Sequence, residues 1–201
     1  NLVYTATFDS PMEVADVEDS LEDLLESIET GTYMPTYKVG NTFRLTYDGT
    51  DIRGVIAGFN ADKDKYGEKV PVTITPKIVI GSSYKQTSTN AATYPRPMNA
   101  VLSKVDEAVR DHIIPVRKRT NMGKNTDSVK TTDTYDSLWL LSATEIYGAG
   151  GYSSVAYWNE TPYANQYKLY KTMANRIKYT NAGSAVNYDL RSLPYVAGNH
   201  S

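Results

Sequence analysis

The sequence predicts an α+β domain preceded by a short acidic helix, and three observations carry that expectation. An apolar stripe at helical spacing runs through residues 10–30. Alternating and β-branched stretches follow between 42 and 80, and a second helical stripe at 98–114 gives way to further strand-like segments. Periods near 3.6 and 2 in separate stretches are the mark of helices and strands packed around one core. A chain of 201 residues can bury such a core without disulfide or metal. The division expected is an N-terminal helix and linker over 1–36 and one α+β body over 37–201.

In the first helix Ser10 is the expected N-cap, with Pro11 at the first helical position and Glu13 completing a capping box. Val14, Val17, Leu21, Leu24, Leu25 and Ile28 form the stripe, and Gly31 supplies the stop. Strands are expected at 42–47 and 52–59, joined by a turn at Asp48-Gly49. Residues 60–69 read as a charged loop, VPVTITPKIVI as strand interrupted by Pro76, and 81–97 as an irregular exposed loop. The second helix presents Val101, Leu102, Val105, Ala108, Val109 and Ile113 on one face, and Pro115 ends it. VRKRT follows as a short strand, NMGKNTDSVKTTDTYD as a polar excursion, and SLWLLS (137–142) as the most apolar strand. A Gly- and Tyr-rich loop covers 147–162. Tyr167, Tyr170, Met173, Ala174 and Ile177 then suggest a third helix over 163–178, and a last strand is expected at 186–192.

Charge is uneven. Residues 1–37 hold nine acids and no Lys or Arg, leaving 14 acids against 21 bases in the remainder. The bases are scattered, and the one dense run, Arg117-Lys118-Arg119, reads as a solvated edge strand whose charges oppose aggregation rather than as a phosphate site. Nucleic acid is therefore not an expected partner. Tyrosine is in excess, with 17 Tyr against 3 Phe and 2 Trp, ten of them from Tyr135 onward. Tyrosine gives large contact area at low entropy cost and keeps a polar tip, which suits both recognition surfaces and a core margin.

Catalytic signatures are missing from the sequence. With no cysteine, thiolate catalysis and cysteine metal sites are excluded. His112 and His200 stand far apart, so no histidine metal spacing occurs, and His112 suits a helix C-terminus. No phosphate-loop, dinucleotide or nucleophile-elbow motif is present. Glu145, Glu160 and Asp189 could supply paired carboxylates, but no spacing singles out a pair. No apolar run reaches the ~18 residues of a membrane-spanning helix. No cofactor, metal or catalytic residue is expected, and membrane insertion is not.

The order of segments from 21 to 195 resembles a family of phage and prophage proteins of gut Firmicutes with a C-type-lectin-like fold. LLESIETGTYMPTYKVGNTFRLT is similar to that family's entry helix and Tyr-x-Val-Gly-Asp-Thr strand, with Asn41 in place of the Asp. VIAGFNAD resembles its next strand. VDEAVRDHIIPVRKRTNMGKNTDSVKTTDTYDSLWLLSATEIYG matches its helix, Pro-Val-x-Lys-x-Thr strand, polar loop and Leu-Leu-Ser-x-x-Glu-Ile-x-Gly segment. NQYKLYKTMANRIKY resembles its Gln-Tyr-x-x-Tyr-x-x-x-Asn-x-x-Ile helix. NYDLRSLPY stands where the family has Trp-Trp-Leu-Arg-Ser-Pro, departing from it at Tyr188-Asp189 and at Leu193.

The resemblance implies a lectin-like mixed sheet over 37–201, continuing in further strands beyond Ser201. It implies a non-enzymatic virion protein (tail, baseplate, neck or head decoration) that serves assembly and host attachment. Partners would be other virion proteins, further copies of the chain, and a host-surface glycan or protein. A secreted or cell-surface bacterial carbohydrate-binding module is the alternative. Arg191 is expected in the closing strand, paired with Glu145 and beside the strand of Trp139, with Asn175 also structural. Tyr152, Tyr157, Trp158 and Tyr195 are the candidate ligand-binding residues. WNE (158–160) lacks the companion motif of a calcium lectin, so calcium is not assigned.

Overall fold

The computed structural model describes residues 20–80, 99–121, 131–148 and 165–186. Within them the chain is a mixture of short helices and small antiparallel sheets.

Helix α1 covers Leu21–Glu29 and starts at Ser20. The Ser20 hydroxyl accepts the Asp23 N–H at 3.2 Å, and the Asp23 carboxylate accepts the Ser20 N–H at 2.8 Å, a reciprocal cap that satisfies two otherwise orphaned donors. This corrects the expected cap at Ser10 for a helix including 21–29; Ser10 itself lies outside the described residues. The helix ends at Thr30, with Gly31 at φ 74°. Leu24 is buried with Tyr37, Phe43 and Ile56, while Leu21 and Ile28 flank it. A short helix α2 (Tyr33–Thr36) follows.

The main sheet has the order β1-β4-β5, with β1 at Thr42–Phe43, β4 at Gly54–Lys63 and β5 at Lys69–Pro76, all antiparallel. Strands β2 (Thr46–Tyr47) and β3 (Thr50–Asp51) form a hairpin across Asp48 (φ 50°) and Gly49 (φ 75°). Two positive φ values define the tight turn that matches strand twist. The charged loop expected at 60–69 shrinks to a turn. Its residues extend β4, and Asp64 Oδ1 accepts the N–H groups of Tyr66 at 2.8 Å and Glu68 at 2.9 Å.

Both faces of this sheet are covered. Val72 and Ile74 of β5 pack toward α1, while the alternate residues Thr73 and Thr75 are buried on the other face and meet Asp62 and Tyr170. The register of β4 against β5 shifts between Ile56 and Gly58 and again between Phe59 and Asp62. Strict alternation from Val55 and Ala57 would place residue 62 on the opposite face. The irregularities bring Asp62 to the side of Tyr167, with which Val55 and Ala57 also cluster.

Four further expectations are corrected. The helix expected at 98–114 is two short ones, α3 (Asn99–Leu102) and α4 (Glu107–Arg110). The break at 103–106 arises because the backbone there bonds to the β2 hairpin, with Asp48 N–H to Lys104 O at 2.9 Å and Asp106 N–H to Thr46 O at 3.3 Å. Asp106 then caps α4 by accepting the Ala108 N–H. The polar excursion contains β7 (Thr131–Asp136), which pairs with β6 (Val116–Asn121). Residues 137–142 are not strand but the approach to α5 (Ala143–Tyr147), because Ser142 and Glu145 form a capping box that starts a helix.

The helix expected at 163–178 is, over its described part, two 3-10 turns, Lys168–Lys171 and Met173–Arg176, then β8 (Lys178–Tyr179). Thr172 is extended between the turns, and side chains stand in for helical donors. Asn175 Nδ2 bonds Leu169 O at 2.9 Å and Arg176 Nε bonds Tyr170 O at 2.7 Å. The last described strand, β9 (Ala185–Val186), pairs with β8. The remainder of the strand expected at 186–192, and the loop at 81–97, lie outside the described residues.

Candidate functional site

Strand β6 reads Val-Arg-Lys-Arg, and alternation decides what each side chain does. Val116 and Lys118 point inward, each with only 1% of its surface exposed. Arg117 and Arg119 point outward to Asp133 of β7. Arg119 grips it with two bonds, at 2.7 and 2.8 Å, and Arg117 adds one at 2.6 Å. These guanidiniums, Arg119 first, hold the Asp133 carboxyl down at about 2. Against the expectation of a solvated basic strand, the arginines are partly exposed and paired with Asp133, and Lys118 is buried.

The Lys118 ammonium lies at a junction of three elements. It donates to Asp62 Oδ1 of β4 at 2.5 Å, to Glu145 Oε1 of α5 at 2.9 Å, and to the Tyr167 hydroxyl at 2.7 Å. An ammonium has three protons, and these acceptors match them. The Trp139 ring covers it at 4.0 Å, close enough for cation–π attraction. The carboxylates are anchored in turn. Asp62 Oδ2 accepts from the Thr73 hydroxyl at 2.5 Å, and the Tyr167 hydroxyl lies 3.0 and 3.1 Å from the two Asp62 oxygens. Glu145 Oε2 accepts the Ser142 N–H at 2.7 Å. Glu145 O accepts the Tyr167 N–H at 2.9 Å, fixing the tyrosine to the same helix.

Removing charge from water is expensive, and a buried ion pair holds only when its geometry and remaining hydrogen bonds are satisfied. That condition is met here by four separate elements. Beside the cluster lies an apolar cavity of about 370 Å³, between α1, β5 and the segments 105–116 and 137–141. Thr73, Trp139 and Tyr167 belong both to its wall and to the shell around Lys118.

A second lysine, Lys178, is also buried, at 8% exposure. Its Nζ donates to Pro76 O at 2.9 Å, lies 3.4 Å from Thr75 Oγ1 and sits 5.6 Å from the centre of the Tyr170 ring. Burial pushes its pKa down to about 8.

Of the residues singled out in the sequence, Trp139 and Glu145 meet around Lys118. Asn175 is apart from them, bonded to the Leu169 carbonyl. Arg191 and its pairing with Glu145, the ligand candidates Tyr152, Tyr157, Trp158 and Tyr195, and the acids Glu160 and Asp189 lie outside the described residues. Lys118, Asp62, Thr73 and Tyr167 were not anticipated as a group. The available signal was the placement of Lys118 two residues after Val116 on an otherwise outward-charged strand. Among the described residues no group of three His, Cys, Asp or Glu could hold a metal ion, and no helix is long and apolar enough to cross a membrane.

Residues 73–201 match the family model described as a domain of unknown function (DUF6273). No curated protein and no solved structure matches the chain.

Proposed function

This chain belongs to the DUF6273 family, and we propose that it serves as a non-enzymatic structural protein of a bacteriophage particle, displaying a lectin-like domain for assembly and host-surface attachment. The observation that carries this reading is the disposition of Lys118. Its three donors are taken by Asp62, Glu145 and Tyr167 beneath the surface. This buried polar group therefore ties β4, β6, α5 and the Tyr167 segment together. A rigid core of this kind suits a scaffold that presents variable loops to a partner. The tyrosine-rich composition of the last third, with Tyr152, Tyr157, Trp158 and Tyr195 the candidate residues, suits contact with neighbouring virion proteins, further copies of the chain or a host glycan.

The reading is tested on purified phage particles from a lysate of the source host. Mass spectrometry should find the chain at a fixed stoichiometry to the major capsid protein, and antibody labelling should place it at a regular position. Recovery only from the cell wall or culture fluid, with glycan-array binding by the purified chain, would replace it with the bacterial carbohydrate-binding reading.

A further inference from the structure

We propose that Lys118 and Asp62 are the two halves of an intramolecular isopeptide bond, closed within the folded chain with Glu145 as proton relay. An amine and a carboxylic acid in water exchange a proton and remain separate ions. Held together away from water, the pair can pass its proton across the contact, and the neutral pair is the reactive form, because only the amine has a free lone pair and only the acid has a hydroxyl that can depart. Positioning also replaces a bimolecular encounter with a unimolecular step. Both conditions are built into this site. Lys118 Nζ is 2.5 Å from Asp62 Oδ1, their side chains are 2% and 8% exposed, and the Trp139 ring covers the nitrogen.

The surrounding groups fall where the reaction needs them. The ammonium passes one proton to Asp62, giving amine and acid. The Nζ lone pair attacks Cγ, so the Cγ–Nζ bond forms and charge moves onto the carbonyl oxygen. The Tyr167 hydroxyl, within 3.1 Å of both Asp62 oxygens, and the Thr73 hydroxyl on Oδ2 stabilise that oxygen as donors aimed at developing charge do. Glu145 Oε1, 2.9 Å from Nζ, takes a proton from the attacking nitrogen and delivers it to the departing hydroxyl. The Cγ–O bond breaks and one water leaves. Ammonium plus carboxylate becomes amide plus water, with no change of oxidation state and no co-reactant.

Asp62, rather than Glu145, is the electrophile. Nζ lies nearer Asp62 Oδ1, at 2.5 Å, than Glu145 Oε1, at 2.9 Å, and the Thr73 hydroxyl already donates to the Asp62 oxygen that would become the carbonyl. The strand of Asp62 also lies next to β6, where Asp64 and Val116 form a bridge. The bond would join residues 56 apart in sequence and staple β4 to β6, closing a loop that constrains the unfolded chain as a long-range cross-link does.

The test is the intact mass of the full chain under denaturing conditions, read when freshly purified and after incubation at neutral pH. The expected mass is one water below that of the sequence. Proteolysis should yield a branched peptide joining the stretch around Asp62 to that around Lys118. Glu145→Gln, checked for folding by near-UV circular dichroism, should keep its full mass, as should Lys118→Arg and Asp62→Ala. A folded wild-type chain with full mass and separate peptides at both times overturns the proposal. Water loss that persists in Lys118→Arg places the chemistry elsewhere and overturns it as well, and water loss in Glu145→Gln removes the relay.

Discussion

The Glu145 carboxylate bridges a helix start and a strand: one oxygen accepts the Ser142 backbone N–H at 2.7 Å, and the other accepts the Lys118 ammonium at 2.9 Å. The start of α5 and the inner face of β6 are thereby fixed to each other through one side chain. Asp62 extends the connection to β4, and Tyr167 to the first 3-10 turn. A helix of five residues has little stability of its own, so its position depends on these links.

Lys118→Met should be among the most damaging single changes. It forgoes the proposed cross-link and leaves Asp62 and Glu145 buried without the cation they share before the bond closes, and removing one partner of a buried pair by itself costs about 3–5 kcal/mol. The melting temperature should fall by on the order of 10 °C. Adding Glu145→Gln to Lys118→Met should recover part of the loss, because one uncompensated charge disappears. Thermal unfolding of the single and double variants measures this, and additive losses would refute the coupling.

Lys178 should make stability rise with pH in the alkaline range. Its folded pKa is about 8, against 10.5 when exposed. Below about pH 8 the folded state carries the full desolvation penalty, and between 8 and 10.5 the unfolded chain binds more protons than the folded one. Stability therefore increases through that window, by on the order of 3 kcal/mol. Urea unfolding at pH 7 and pH 10 should show Lys178→Met more stable than wild type at pH 7, with most of the difference gone at pH 10. A constant difference would refute it.

At Asp133 the fold favours the charged form, where at Lys178 it opposes it, and stability again rises with pH. Its pKa is lowered to about 2 from 3.8, with Arg119 the largest cause. The arginine contacts stabilise the fold above about pH 4, and that contribution is lost as pH falls through 2. Solvent screens this surface pair, so the effect should stay below ~1 kcal/mol. Asp133→Asn should flatten the wild-type stability profile between pH 4 and 2 by that amount, read by chemical denaturation.

Two glycines of β4 should respond differently to alanine. A Cβ on Gly54 would lie 2.7 Å from Ile74 Cγ2 and 3.4 Å from a Leu45 methyl. Overpacking of this kind costs about 1–3 kcal/mol. At Gly58 the nearest atoms are Ala61 Cβ at 3.3 Å and Tyr167 Cδ1 at 3.6 Å, so Gly58→Ala should be the milder change. Equal denaturation midpoints for the two variants would contradict the packing of β5 on this strand.

Local chemistry determined much of what the sequence announced. The Leu21–Ile28 stripe makes a helix because a 3.6-residue period places those side chains on one face. Asp48-Gly49 makes a hairpin turn because both positions tolerate positive φ. The β-branched run up to Pro76 makes β5, with Pro76 its last residue. Where a local preference met a tertiary competitor, the competitor prevailed. The stripe at 98–114 is helical in composition, yet Lys104 and Asp106 bond to the β2 hairpin and divide it. Tyr167 and Tyr170 have helical spacing, yet both are buried from an extended and a 3-10 backbone.

Sequence alone determined that β6 would have two faces and that Val116 and Lys118 would share one of them. Tertiary structure decided that this face is the inner one, since Asp62 and Glu145 lie 56 and 27 residues from Lys118, beyond the reach of any local period. The β4 irregularities turn Asp62 inward, and the Ser142 cap orients Glu145. Burial of the lysine becomes tolerable only once those separate segments deliver their acceptors to one point.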